Sequence, residues 1–150
     1  VFTRSGFTYE TFQKSLFALH ALSIKVIVHL ILGLPHETRE MMTASVQAIA
    51  NLPVWGIKLQ LLHVLSGTDL AAYYEKTHFP VFSMDEYCEM IIDCLELLPP
   101  EMVIHRITGD GPKDLLIAPM WSTGKRTVLN QIHRRLKERN TYQGRLATKR

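Results

Sequence analysis

An apolar run from Ile24 to Leu32, interrupted only by Lys25 and His29, ends in Gly33-Leu34-Pro35 and hands over to His36-Glu37-Thr38. A run this apolar and this short predicts a buried strand of a parallel sheet, covered on both faces. Gly33 at its carboxyl end predicts a turn where the backbone comes close to a neighbour. In α/β folds ligands gather at the carboxyl ends of the strands. A second such unit follows, from Gly56-Ile57-Lys58-Leu59 to Val64-Leu65-Ser66-Gly67-Thr68. Two strand ends on one sheet imply a ligand-binding rim.

The rest of the chain alternates helix and strand. Phe12, Leu16 and Leu19 recur at helical spacing over residues 8–22, with Thr8 as N-cap. Met42, Val46 and Ile49 mark a helix over 38–52 that Pro53 stops. A strand over 57–64 and a short helix over 69–76 come next. Ser83 and Glu86 make an S-x-x-E capping box before a helix over 84–98 that buries Tyr87, Ile91, Cys94 and Leu98. Pro99-Pro100 closes it, and residues 102–107 read as a third strand. Gly109-Asp110-Gly111-Pro112 is a polar turn, Ser122 opens a last helix with Val128, Leu129, Ile132 and Leu136, and residues 143–150 read as a loose tail. Strands alternating with helices require parallel crossovers. The first helix lacks the strand that should precede it, and the chain opens on Val1. We therefore expect the carboxyl part of a longer protein.

The 150 residues, 47% of them hydrophobic, suit one core. Two cysteines make no disulfide framework and point to a reducing compartment, so a cytoplasmic location is expected. The longest apolar runs are strand-sized, so no membrane span is expected. The net charge of +3 is unevenly spread: residues 125–150 carry nine Lys or Arg against Glu138 alone. Such a tail suits phosphate, and it equally suits a solvated helix face.

Several residues are candidates for chemistry. Backbone amides at Gly33 and at the start of the following helix, around Glu37 and Thr38, can donate to a ligand; an ordinary βα turn would use the same Gly and Pro. His29, His63 and His105 stand on or beside three strands, as core hydrogen-bonding residues or as part of one site. No closely spaced pair supports a metal. Lys58 in an apolar strand could neutralise a carboxylate or phosphate, or snorkel to the rim. Asp110 and Asp114 flank Gly111-Pro112-Lys113 and can accept a proton, hold a hydroxyl or cap the turn. Cys88 and Cys94, six apart on a helix, diverge and cannot jointly bind a metal.

Taken in order, the segments resemble radical SAM enzymes over about residues 6–145. Residues 28–42, Val-His-Leu-Ile-Leu-Gly-Leu-Pro-His-Glu-Thr-Arg-Glu-Met-Met, are similar to the fifth-strand segment, whose glycine-bearing end lies near the adenine of S-adenosylmethionine. Residues 57–71 resemble the sixth strand and its loop. Leu97-Leu98-Pro99-Pro100, residues 103–112, Trp121-Ser122, Lys125, Val128-Leu129-Asn130 and Gln143-Gly144 resemble the YhcC/YtqA-type, elongator-catalytic-subunit-like branch. His36 departs from the small residue, usually Gly, common in this turn. The CxxxCxxC motif that holds the iron–sulfur cluster is absent.

The resemblance implies an α/β fold, the carboxyl part of a partial parallel (βα)6 TIM-like barrel over residues 1–108 with a basic, α-helical extension over 109–150. It implies S-adenosylmethionine and a [4Fe–4S] cluster whose ligands lie outside this chain. His29, Gly33, Leu34, Pro35, Glu37 and His63 would stand on the cofactor side, and Lys58, His105 and Asp110 on the substrate side. tRNA, modified at a wobble uridine in related enzymes, would meet residues 125–150, and a reductant protein would serve the whole enzyme. The alternatives are a non-catalytic piece that binds RNA or a partner, and a coproporphyrinogen-oxidase-like radical enzyme.

Overall fold

Side-chain alternation along the strands organises the structure, a computed structural model that describes residues 6–109 and 111–147. Strands β1 (Ile27–Leu32), β2 (Gly56–Leu61) and β4 (Val103–Arg106) form a parallel sheet in the order β1-β2-β4. Val28 pairs with Ile57, Leu30 with Leu59 and Leu32 with Leu61, so these six side chains share a face. Helices α1 (Tyr9–Ala21), α2 (Arg39–Ala50) and α4 (Met84–Leu97) cover that face through Leu16, Met42, Val46, Ile49, Tyr87, Ile91 and Cys94. The opposite face carries His29, Ile31, Lys58 and Gln60. Among the described residues β1 is thus covered on one face, not two, and its polar interruptions fall on the other.

The helices begin where their caps predict. Thr8 and Thr38 accept the Thr11 and Met41 amides at 3.2 Å each. The Ser83–Glu86 box is complete: Ser83 Oγ accepts the Glu86 amide at 3.2 Å and Glu86 accepts the Ser83 amide at 2.9 Å. The Tyr87 ring is fully buried, and its hydroxyl donates to the Ile107 carbonyl at 3.2 Å, so its polar end is satisfied.

A second, two-stranded sheet lies beyond the sequence expectation. β3 (Val64–Leu65) pairs antiparallel with β5 (Leu116–Ala118), and α3 (Asp69–Thr77) follows β3. Leu62, Val64, Ala71, Phe79 and Ala118 form its own core. The last helix, α5 (Lys125–Glu138), starts behind a 3₁₀ turn over Met120–Thr123, three residues later than Ser122 suggested. Its Val128 and Ile132 join the main core.

The expected loose tail is docked through its described part. Gln143 Nε2 donates to the Pro99 and Met102 carbonyls at 2.7 and 2.8 Å. The Gly144 amide reaches the Leu95 carbonyl at 3.0 Å and the Leu146 amide the Glu96 carbonyl at 2.8 Å. A Cβ on Gly144, whose φ is +85°, would stand 2.7 Å from Pro100 Cδ. The Gly144 and Leu146 bonds go to carbonyls that α4 leaves open at its carboxyl end.

Candidate functional site

The carboxyl ends of β1 and β2 and the open face below them make the candidate site. Register places His29 opposite Lys58 and Lys58 opposite Arg106, so three basic side chains cross three strands in one row. His29 is exposed, and Lys58 and Arg106 are half-buried. β1, β2 and β4 contain no Asp or Glu. Partial burial, and after it the positive charges of Lys58 and Arg106, hold the His29 pKa below its ordinary value. Both effects favour the neutral form of His29. One step nearer the carboxyl ends, Ile31 faces Gln60.

The turn after β1 differs from the sequence expectation in how its amides are used. Glu37 Oε2 accepts both the Gly33 and the Leu34 N–H, each at 3.0 Å. Neither amide is free to hold a ligand; Glu37 spans the turn and fixes it. Gly33 has φ +87°, and a Cβ there would stand 2.9 Å from the Phe82 ring, so its close approach is to Phe82. Leu34 packs against the β3–β5 core and Pro35 is buried. His36 adopts φ +66°, a conformation that suits glycine, and its Nε2 lies 3.1 Å from the Tyr73 hydroxyl.

The other histidines separate. His63 Nδ1 accepts the Gly111 amide at 3.2 Å, which puts the hydrogen of the neutral ring on Nε2. A Cβ on Gly109 would lie 2.1 Å from His63 Nε2 and one on Gly111 2.5 Å from Nδ1, so this ring fills the space the two glycines leave beside the rim. His105 packs on Trp55 with ring centroids 5.2 Å apart, at the end of β2 opposite the rim, and does not join the row. Asp110 lies outside the described residues. Asp114 is exposed.

Helix α5 uses part of its charge internally. Arg135 donates to Glu89 at 2.7 Å and pairs with Asp85. Arg139 bonds Glu89, Asp93 and Glu96 at 3.1, 3.2 and 3.3 Å. These four carboxylates lie on α4, so the two helices dock by an ion-pair ladder. Arg126, Arg134 and Lys137 remain exposed, with Arg134 3.5 Å from Glu138. The basic face that the sequence offers to nucleic acid is therefore split, with Arg135 and Arg139 turned to structure.

Neither cysteine suits a cluster. Both are buried; burial pushes the Cys88 thiol up and the Cys94 thiol up to about 12. No group of three His, Cys, Asp or Glu among the described residues is placed to hold a metal ion. The donor set therefore does not fit an iron–sulfur cluster. No helix among the described residues is long and apolar enough to cross a membrane.

Sequence reasoning passed over Ile31, Gln60 and Arg106. Strict two-residue alternation from His29 and Lys58 would have reached the first two. Arg106 joins the row through a register shift in the β2–β4 pairing beside Lys58, which no sequence pattern announces.

Residues 54–138 match the family described as the Radical_SAM C-terminal domain. The chain is 45% identical over 136 residues to YtqA of Bacillus subtilis strain 168, covering 91% of this chain and 42% of that protein. It is 27% identical over 133 residues to YhcC of Escherichia coli K12, covering 89% and 43%. It thus spans about two fifths of the curated relatives it matches. The structure is similar to that of Methanocaldococcus infernus Elp3 lacking residues 1–46, with a TM-score of 0.77 at 18% identity, over 93% of this chain and 33% of that one. That likeness gives the fold: this is the carboxyl part of a TIM-like barrel.

Proposed function

We propose that this chain, which belongs to the Radical_SAM C-terminal domain family, forms the carboxyl wall of a radical SAM barrel and orients an RNA substrate there. The observation that carries the reading is the open sheet face: a parallel sheet covered by helices on one side presents His29, Lys58, Gln60 and Arg106 on the other, under a rim braced by Glu37. Parallel sheets are ordinarily covered on both faces. A polar uncovered face is the inward wall of a barrel that encloses ligand.

Family membership generally implies S-adenosylmethionine and a [4Fe–4S] cluster, which together supply a 5′-deoxyadenosyl radical; cluster ligands would come from outside these residues. Within this chain the work is positioning. Glu37 holds the turn after β1 in one shape. His63 packs beside it against Gly109 and Gly111. Ile31 gives an apolar contact and Gln60 an amide at the carboxyl end of the inner face. tRNA is the preferred substrate class, because Arg126, Arg134 and Lys137 stay exposed on α5.

The test uses the full-length protein, anaerobic and reconstituted with iron and sulfide. Reduction in the presence of S-adenosylmethionine should release 5′-deoxyadenosine, and unfractionated tRNA should yield a changed nucleoside by mass spectrometry. No 5′-deoxyadenosine removes the enzyme reading and leaves a protein that only binds RNA or a partner. 5′-Deoxyadenosine with turnover of a tetrapyrrole and unchanged tRNA would favour the coproporphyrinogen-oxidase-like alternative.

A further inference from the structure

The turn after β1 is held from two sides. On one, Glu37 takes the Gly33 and Leu34 amides. On the other stands Phe82: an ideal Cβ at Gly33 would come within 2.9 Å of its Cδ2 and Cε2, so the ring occupies the place of the missing side chain. Phe82 is itself fixed. Trp121 Nε1 donates to its carbonyl at 2.8 Å. Its ring packs on Tyr87 with centroids 5.9 Å apart, and Tyr87 packs on Trp121 at 5.7 Å. The next residue, Ser83, is locked in the capping box of α4. Trp121 sits on the 3₁₀ turn over Met120–Thr123, which the buried Ser122 ties by donating to the Pro119 carbonyl at 2.8 Å. Just before it, Ala118 of β5 belongs to the cluster on which Leu34 packs. Residues 116–121 thus reach the turn by two routes, through Phe82 to Gly33 and through the small core to Leu34.

We propose that Trp121 and Phe82 are positioning residues for S-adenosylmethionine. The indole holds the Phe82 backbone, the Phe82 ring sets the Gly33-Leu34-Pro35 turn, and that turn meets the cofactor at the carboxyl end of β1. The inference rests on the radical SAM reading of the preceding subsection and deepens it: residues beyond 108 take part in shaping the cofactor rim. Neither residue touches the reacting atoms. A turn set in advance spares the ligand the cost of ordering it, so losing the strut weakens binding and leaves the chemical step alone.

The test is isothermal titration of S-adenosylmethionine into the anaerobic, reconstituted full-length protein, with the kinetics of 5′-deoxyadenosine release measured beside it. Trp121→Phe removes the donor and keeps an aromatic ring on Tyr87. Kd and KM for S-adenosylmethionine should both rise on the order of fivefold, as loss of one net hydrogen bond does, with kcat within about twofold of wild type. The control is Ile49→Val, a loss of comparable stability in the main core, about 15 Å along α2 from its rim end; its Kd should match wild type. Gly33→Ala should weaken binding in the wild-type background and less in Phe82→Ala, where the ring that the new Cβ meets is gone. Unchanged affinity in Trp121→Phe would overturn the proposal. So would an equal loss in Ile49→Val, simple addition of the Gly33→Ala and Phe82→Ala effects, or a fall in kcat with KM held. A wild type that binds no S-adenosylmethionine would overturn the radical SAM reading and this inference together. Affinities that move as expected in a protein forming no 5′-deoxyadenosine would refute the enzyme reading and leave the strut standing.

Discussion

Replacing Arg139 with Gln should loosen the carboxyl end of the chain far more than replacing Arg134 with Gln, although both lie on the same basic helix. Arg139 touches three carboxylates of α4. Two of them, Glu89 and Asp93, keep side-chain exposures of 39% and 24%, and pairs this wet contribute about 0.2–1 kcal/mol each. Glu96 is different: its side chain is 8% exposed, and without Arg139 its carboxylate keeps, among the described residues, only the Thr141 hydroxyl. Stranding a buried charge costs about 3–5 kcal/mol when the partner is wholly buried. Arg139 is 34% exposed, so water entering its place recovers much of that. About 2 kcal/mol remains, or roughly thirtyfold in an opening equilibrium. Gln is a comparable helix former, so propensity adds little. Among the described residues Arg134 pairs only with Glu138, and both side chains are mostly exposed. Hydrogen–deuterium exchange of the full-length protein, read over 136–147, should therefore speed up by one to two orders of magnitude for Arg139→Gln and stay within a fewfold of wild type for Arg134→Gln. Equal protection in the two variants would refute the ladder as the element that docks α5 and the tail.

Further outcomes follow from other contacts. Gly33→Ala should lower stability by about 1–2 kcal/mol, because φ is +87° and the new Cβ meets Phe82, and thermal unfolding should read the loss; unchanged stability would mean the turn relaxes freely. Glu37→Gln leaves a neutral oxygen to accept both amides, so it should weaken the two bonds and raise amide exchange at Gly33 and Leu34, whereas unaltered exchange would discount the brace. For His29 the folded pKa lies below the unfolded one, so the unfolded chain binds more protons between them, and the His29 contribution to stability falls as pH drops through about 6.5. The drop in unfolding temperature from about pH 7.5 to about pH 5.5 should therefore be smaller in His29→Gln than in wild type; an equal drop would separate the effect from His29.

Much of this was legible from residue order because local rules acted without competition. The Ser83–Glu86 box and the Thr8 cap need only neighbours in sequence, and the 27–32 and 56–61 strands follow from apolar runs bounded by turn residues. The β3–β5 pairing was not legible: three residues at 116–118 form a strand only because Val64 and Leu65 lie alongside. Docking of Gln143 and Gly144 was hidden for the same reason, since their partners are carbonyls at and just beyond the end of α4, more than forty residues away. At the site, His29 and Lys58 were chosen for their chemistry and proved to be neighbours by register. The Gly33 amide was chosen as a free donor, and a local bond from Glu37, four residues on, takes it. Charge counting over 125–150 could not foresee the acidic face of α4, which takes Arg135 and Arg139 out of the basic surface.

The most direct measurement is a structure of the full-length protein with S-adenosylmethionine and a short RNA bound. The account predicts adenosine in contact with the rim after β1, near Ile31 and Gln60, and RNA against the inner face that carries Lys58, with the sheet β1-β2-β4 forming the last strands of the barrel. Adenosine bound away from that rim, or β1-β2-β4 turned with its His29–Lys58 face outside the barrel, would contradict it.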